Sequence, residues 1–317
     1  MKRTSIIVIS SHVVRGTVGN RAAAFALETL GHPVWAVPTV TLSWHPGHIP
    51  TAGAPTRLFA SPEDFAALLK SLEAAPWLPE VGGILSGYLG DAAQADAIAS
   101  LVQTAGKANP DLLYAADPVI GDGDRLYVPL EVAEAVRDRL VPLADIVTPN
   151  PFELAWLVKG LMNDAPAMTP HAVVAMAEAL SAKWNVSSVL ATSAPAMLTG
   201  HIANLLVEAK TQDRAGEAHM AEHRAFAQVP NGLGDLTAAL YLSAAVQNKS
   251  SGKTDGGAAG LRQVTSAVAS VLKRHMTVQG DELALEASTD ELKRPSVPVN
   301  MRALSGPARK VHSIAPR

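Results

Sequence analysis

The sequence predicts an α/β fold whose central, mostly parallel sheet is covered by helices on both faces. Up to about Gly200, short apolar runs of strand length alternate with longer helical stretches. The turns that follow those runs are polar or glycine-bearing, as a ligand cleft along the carboxyl edge of a parallel sheet requires. With 317 residues, 48% of them hydrophobic and 17% charged, the chain can bury a sizeable core.

In chain order, SIIVIS (residues 5–10) reads as a buried strand and 18–30 as an alanine-rich helix stopped by Gly31. VWAVPTV is a second strand, which Pro38 moves toward a sheet edge or a strand end. Residues 61–75 are helical, opening on the start signal Ser-Pro-Glu-Asp. GGILS and LLYAADPV are strands flanking a helix at 91–108. A helix at 130–140, the strand ADIVTPN, helices at 151–160 and near 171–184, and the strand SSVLATS continue the alternation. Past Gly200 the pattern changes: HIANLLVEA and AFAQVP read as strands around a polar excursion, 210–224, more hairpin than helical crossover. Residues 247–260 read as a surface loop. Residues 1–287 are thus expected to form a single domain, and 288–317, proline-bearing and without periodicity, an extended or partly disordered tail.

A formal net charge of −3 argues against nucleic acid as the main partner. The absence of cysteine removes disulfides, thiolate metal sites and a cysteine nucleophile. MKRTSIIVIS is too short in its apolar part for a signal peptide, and no run approaches the roughly 18 apolar residues of a membrane span. A cytoplasmic protein with no membrane partner is expected. Three motifs fail on inspection. SSGKTD has Gln247 where a P-loop needs glycine and lacks a preceding strand. HMAEH (219–223) matches a zinc-peptidase pattern, but only a helix would bring its histidines together, and the surroundings are hairpin-like. GDGD (121–124) lacks the later glutamate of a calcium loop.

Two groups of residues carry chemistry. In VPNGLGDLTAALYL (229–242), Gly232 and Gly234 let the backbone turn sharply and present N–H groups at a helix start, an anion site. Asp235, in the same turn, reads either as a helix cap or as a base that takes the proton of an alcohol attacking phosphorus. Asp117 and Asp122 end a strand facing the presumed cleft, and suit either turn formation or a Mg²⁺ ion held through water.

Gly-x-Gly-Asp opening a late helix resembles the ribokinase-like kinases. SHVVRGTVGNRAAAF, SGYLGD, DPVIGD followed by RLYVP, PLADIVTPNPFEL and GLGDLTAAL together resemble the vitamin B6 kinases of that superfamily, in order and spacing, across most of residues 5–275. The resemblance implies a three-layer αβα sandwich that phosphorylates the 5′-hydroxymethyl group of pyridoxal, pyridoxine or pyridoxamine with ATP. It also implies Mg²⁺, assistance from K⁺, and a homodimer. It makes Asp235 the base and Gly232 and Gly234 the anion hole. Ser11, His45 and Tyr88 would contact the vitamer; Thr148, Asn150, Glu153, Thr192, Ser193, Leu233 and the flap residue Tyr127 would face ATP. Asp117, Asp122 and Glu153 would organise the metal. Asn150 and Glu153 also read as ordinary helix-start residues. This chain departs from relatives at Leu233 (threonine or valine there), at Pro46, where a hydroxyl and a backbone donor are missing, and at Leu42, which replaces phenylalanine. Two rivals follow: a kinase of another heterocycle such as hydroxymethylpyrimidine, and a non-catalytic vitamer-binding protein.

Overall fold

The computed structural model describes residues 4–160, 168–209, 216–251, 256–278 and 280–304. The first apolar run forms β1 (Ser5–Arg15). Its consecutive residues Ile6, Ile7, Val8 and Ile9 are all fully buried. Ile6 and Val8 join one core cluster and Ile7 and Ile9 the other, as alternation dictates for a strand covered on both faces.

The chain continues through α1 (Asn20–Thr29), β2 (Val34–Trp44), the single turn α2 (Ile49–Ala52), β3 (Arg57–Leu58), α3 (Pro62–Glu73), β4 (Val81–Ser86) and α4 (Gln94–Ala108). Next come β5 (Leu113–Ala116), a small hairpin of β6 (Gly121–Asp122) and β7 (Arg125–Leu126), α5 (Leu130–Ala135), β8 (Ile146–Val147), α6 (Pro151–Lys159) and α7 (Pro170–Trp184). The last part is β9 (Ser188–Pro195), β10 (His201–Glu208), β11 (Glu217–Arg224), α8 (Leu233–Ser251), α9 (Gly256–His275), α10 (Thr289–Lys293) and β12 (Asn300–Ala303).

Among the described residues, ten strands form one sheet in the order β12-β11-β10-β9-β8-β5-β4-β1-β2-β3. From β2 to β9 every pairing is parallel; β10, β11, β12 and β3 are added antiparallel. Helices α3 to α7 pack on one face and α1, α8, α9 and α10 on the other, so the expected αβα sandwich is observed. No described helix is long and apolar enough to cross a membrane.

Local signals account for several boundaries. Ser61 accepts from the Asp64 N–H and caps α3, and Asn150 with Glu153 forms a reciprocal capping box on α6. Pro38 is tolerated because β3 pairs only with Thr41 and Leu42, leaving the first half of β2 without an outer neighbour.

Other expectations are corrected. β1 and β2 run on to Arg15 and Trp44, so Ser11 and His12 lie on a strand, with a register shift between Ser10 and His12. The strand expected in AFAQVP is instead β11, whose eight residues all pair with β10; residues 210–215 of the polar excursion lie outside the described residues. HMAEH is therefore on a strand, where His219 meets Glu217 (2.9 Å) and His223 is buried farther along. The supposed loop at 247–260 is helical through Ser251 and again from Gly256, because Gln, Asn and Lys are good enough helix formers once α8 and α9 pack. Residues 252–255 of the P-loop-like motif lie outside the described residues. The boundary at 288 does not separate domain from tail. Leu292 is buried, the N–H groups of Ser296 and Val297 both donate to Ser270 Oγ (3.0 Å each), and β12 pairs with β11. Residues 305–317 lie outside the described residues.

Candidate active site

The glycine turn is seated by the N-terminal segment. Gly232 has φ 97°, and a β-carbon there would lie 2.0 Å from the carbonyl oxygen of Thr17, so only glycine fits. Gly234 differs: its φ is not positive and a β-carbon would meet nothing within 4 Å, so neither conformation nor packing explains it. Helix α8 begins at Leu233, which places Asp235 inside its first turn rather than at the cap position. The backbone N–H groups of Gly19 and of Asp235 itself favour the charged form of this carboxyl. Gly19 has φ 56°, and a β-carbon on it would meet the Ser11 carbonyl at 2.2 Å. Asn20, next to it, donates to the carbonyls of Ser10 and Val37 (2.9 Å each) and so ties β1 to β2. This explains why the sequence needs VGN here. Burial raises Asp235 to about 6, outweighing the two N–H donors that act the other way.

Beside it lies a cluster of carboxyls. Asp117 follows β5 and accepts from Thr148 Oγ1 (2.9 Å). Glu153 accepts from the N–H groups of Ile120 (2.9 Å), Gly121 (3.4 Å) and Asn150 (2.9 Å), and Asn150 Nδ2 donates to the Gly121 carbonyl (2.8 Å). Asn150 and Glu153 thus cap α6 and tether residues 120–121 at once. Burial raises Glu153 to about 7 despite those donors. Asp117 is raised well above the carboxylate range by burial, then by the charges of Glu153 and Asp235. Val119, between them, has φ 38°, a conformation costly for a β-branched residue and concentrated at functional loops. Among the described residues neither Asp117 nor Glu153 has a Lys or Arg partner, so a divalent cation would supply the positive charge that keeps both carboxyls ionised. Asp122 stands apart: it is exposed in the β6–β7 turn and accepts from the Gly123 N–H (2.7 Å). Tyr127, 52% exposed after the same hairpin, has its phenol raised by burial and then by the charges of Glu153, Asp117, Asp235 and Asp122.

On the far side of the glycine turn, β9 carries a bulge. Thr192 and Ser193 together oppose Asn204, and Ser193 takes φ 51°. A cavity opens there, lined by Thr192, Ser193, Asn204, His223, Phe226 and Leu233. Asn204, His223 and Phe226 were missed in the sequence reading; once β11 is recognised as a strand, alternation points His223 into the cavity wall.

The side expected to face the substrate has a different texture. Ser11 is buried. Tyr88 donates its N–H to Ser10 Oγ (3.1 Å), accepts at its carbonyl from Thr39 (2.7 Å) and at its phenol from Arg57 (2.9 Å), a partner the sequence did not suggest. Leu42 is buried with Val13, Val18 and Val40 beside Tyr88. His45 Nδ1 accepts from the Gly47 N–H and caps the turn Pro46–His48, and burial lowers the imidazole. Pro46 occupies the first position of that turn, where a missing N–H costs nothing.

Residues 79–251 match the family model for phosphomethylpyrimidine kinase. A pyridoxal kinase of Granulibacter bethesdensis is 34% identical over 301 residues, covering 92% of this chain and 97% of that protein. One from Corynebacterium diphtheriae is 31% identical, covering 92% and 96%. Among solved structures, the pyridoxal kinase of Leishmania donovani in complex with ADP and pyridoxamine superposes with a TM-score of 0.82 at 25% identity, covering 95% of this chain and all of that one.

Proposed function

The chain belongs to the pyridoxal kinase family, with the ribokinase-like fold, and from that premise we propose how its own residues do the work. It is an ATP-dependent kinase that phosphorylates B6 vitamers at an alcohol group. The observation that carries the residue assignment is Asp235, buried in the first turn of α8 beside the Gly232–Gly234 turn, where its charge acts on Asp117.

In this reading the vitamer's 5′-hydroxymethyl group lies against Asp235, with the γ-phosphoryl at the N–H groups that open α8. Asp235 takes the hydroxyl proton as oxygen bonds to phosphorus and the bond to ADP breaks. Because the transition state is loose, orientation matters more than basicity. Leu233 brings no hydroxyl, so backbone N–H groups alone hold the transferring anion, and the bare Gly234 leaves room for it. Ser11, His45 and Tyr88 orient the ring. Thr148, Asn150, Thr192 and Ser193 face the triphosphate and nucleotide, and the cavity at the bulge takes the base. Tyr127 covers the carboxyls and excludes water. Asp117 and Glu153 would hold Mg²⁺, which when bound supplies charge neutralisation for the triphosphate; exposed Asp122 would reach it through water. Family membership further implies K⁺ assistance, a homodimer and cytoplasmic residence, with one kinase domain extending at least to Leu304.

The test is ADP release with pyridoxal, pyridoxine, pyridoxamine and hydroxymethylpyrimidine, each with and without Asp235→Asn. Vitamer-stimulated release that the variant loses supports the assignment. Release with the pyrimidine alone moves the substrate to that heterocycle, and vitamer binding without release leaves only a binding protein.

A further inference from the structure

A second charged cluster lies outside the phosphoryl site, where the segment between α9 and α10 crosses the ends of β1 and β2. Glu282 aims one carboxylate at two stretches of chain. Its Oε1 accepts from Arg15 Nη1 (3.1 Å) and lies 2.6 Å from His48 Nε2; its Oε2 accepts from the Thr17 N–H (3.3 Å). Arg15 also pairs with both oxygens of Asp281 (2.8 Å each). That pair is open to water, the two side chains being 54% and 61% exposed, so it contributes little. The contact of His48 with Glu282 is different: those side chains are 14% and 18% exposed. Gly16, φ 128°, permits the approach, since a β-carbon there would lie 3.1 Å from Oε1.

The two stretches are those that shape the vitamer side. His48 ends the turn begun by Pro46, and its N–H donates to the carbonyl of His45 (3.0 Å). A β-carbon on Gly47 would lie 2.8 Å from Asn231 Nδ2, so this turn touches the residue before Gly232. Thr17 offers the carbonyl against which Gly232 is packed, and two residues later the Gly19 backbone favours the charged form of Asp235. By contrast, none of the residues that line the cavity at the β9 bulge is bonded to Glu282 among the described contacts.

We propose that Glu282 is a positioning residue for the vitamer. Its carboxylate locks the 45–48 turn to the 15–19 turn, and so fixes the hydroxymethyl group relative to Asp235 without touching the reacting atoms. Here the lost hydroxyl at Pro46 is offset by a rigidly held loop. The inference rests on the pyridoxal kinase reading and deepens it.

Glu282→Gln, His48→Gln and the double variant are compared with the parent in steady-state kinetics and in pyridoxal binding by equilibrium dialysis. Each single variant is expected to raise KM for pyridoxal about tenfold and weaken its binding by a similar factor, leaving KM for ATP within about twofold. The double variant should be no worse than the worse single one, because both remove the same contact. An unchanged KM for pyridoxal, a joint rise in both KM values, or effects that multiply in the double variant overturns the proposal. Should Glu282→Gln not fold, His48→Gln alone carries the same comparison of pyridoxal against ATP. A parent that binds pyridoxal without turnover sinks the kinase reading alone, since the binding comparison still decides the role of Glu282.

Discussion

Burial and backbone donors act against each other at Asp235, and burial wins. With its carboxyl raised to about 6, the proposed base is ionised above that pH and protonated below it. The pH–rate profile for kcat/KM, which reports the free enzyme, should therefore fall on the acid side with a midpoint near 6, measured by ADP release from pH 5 to 9. Asp235→Asn should lower kcat by about 10²- to 10⁴-fold with little change in either KM. Asp117 gives a second expectation of opposite sign. Its folded-state carboxyl is raised, so folding is penalised increasingly as pH rises above the ordinary carboxylate range, and the penalty vanishes below it. Asp117→Asn should thus raise Tm at pH 8 by about 2 °C, with a smaller gain at pH 4, while impairing phosphoryl transfer. The glycines and aspartates behind these expectations were visible in the sequence because each lies within a short motif. The partners that tune them, Gly19 for Asp235 and Thr17 for Gly232, were not, because contact between residues two hundred positions apart leaves no periodic trace.

Turns and helix starts show why two glycines in one motif are not equivalent. Gly232→Ala forces a β-carbon against the Thr17 carbonyl at a positive φ, and should cost more than about 1 kcal/mol in urea-midpoint measurements. Gly234→Ala sits in a helical turn with open space, so its stability should stay within about 1 kcal/mol of the parent while kcat falls, because the new methyl occupies the approach to the anion site. If both variants lost stability alike, the open space at Gly234 would have no functional meaning. The alternation of apolar runs and helices was legible because parallel strands buried on both faces read as unbroken runs, as Ile6, Ile7, Val8 and Ile9 do. The outer strands were harder. β11 contains two histidines, two glutamates and an arginine, and becomes a strand because β10 on one side and β12 on the other supply its hydrogen bonds. The bulge at Thr192 and Ser193 was likewise invisible, although both residues had been placed in the nucleotide site.

Across the whole molecule, the sheet edge beyond β9 depends on one buried charge. Glu222, on β11, has 0% side-chain exposure and accepts from the N–H groups of Met197 (2.9 Å) and Leu198 (3.2 Å) and from Arg302 Nε on β12 (3.2 Å). Arg302→Ala should destabilise the protein by about 2 kcal/mol in chemical denaturation, since it leaves that carboxylate without its counter-ion; Arg302 is itself 47% exposed, which moderates the loss. The β9 bulge lies on the adjoining strands, so the same variant should also raise KM for ATP. β12 pairs with β11 although α8, α9 and α10 come between them along the chain. On the ribosome this separation becomes a delay. β11 leaves the exit tunnel with one edge open and a buried-to-be carboxylate exposed, and waits while α8 and its two successors are made. Translation speed across α8 to α10 therefore sets how long that edge is available to a second nascent chain, and slowing synthesis there should lower the soluble yield of a protein whose finished form is unaffected.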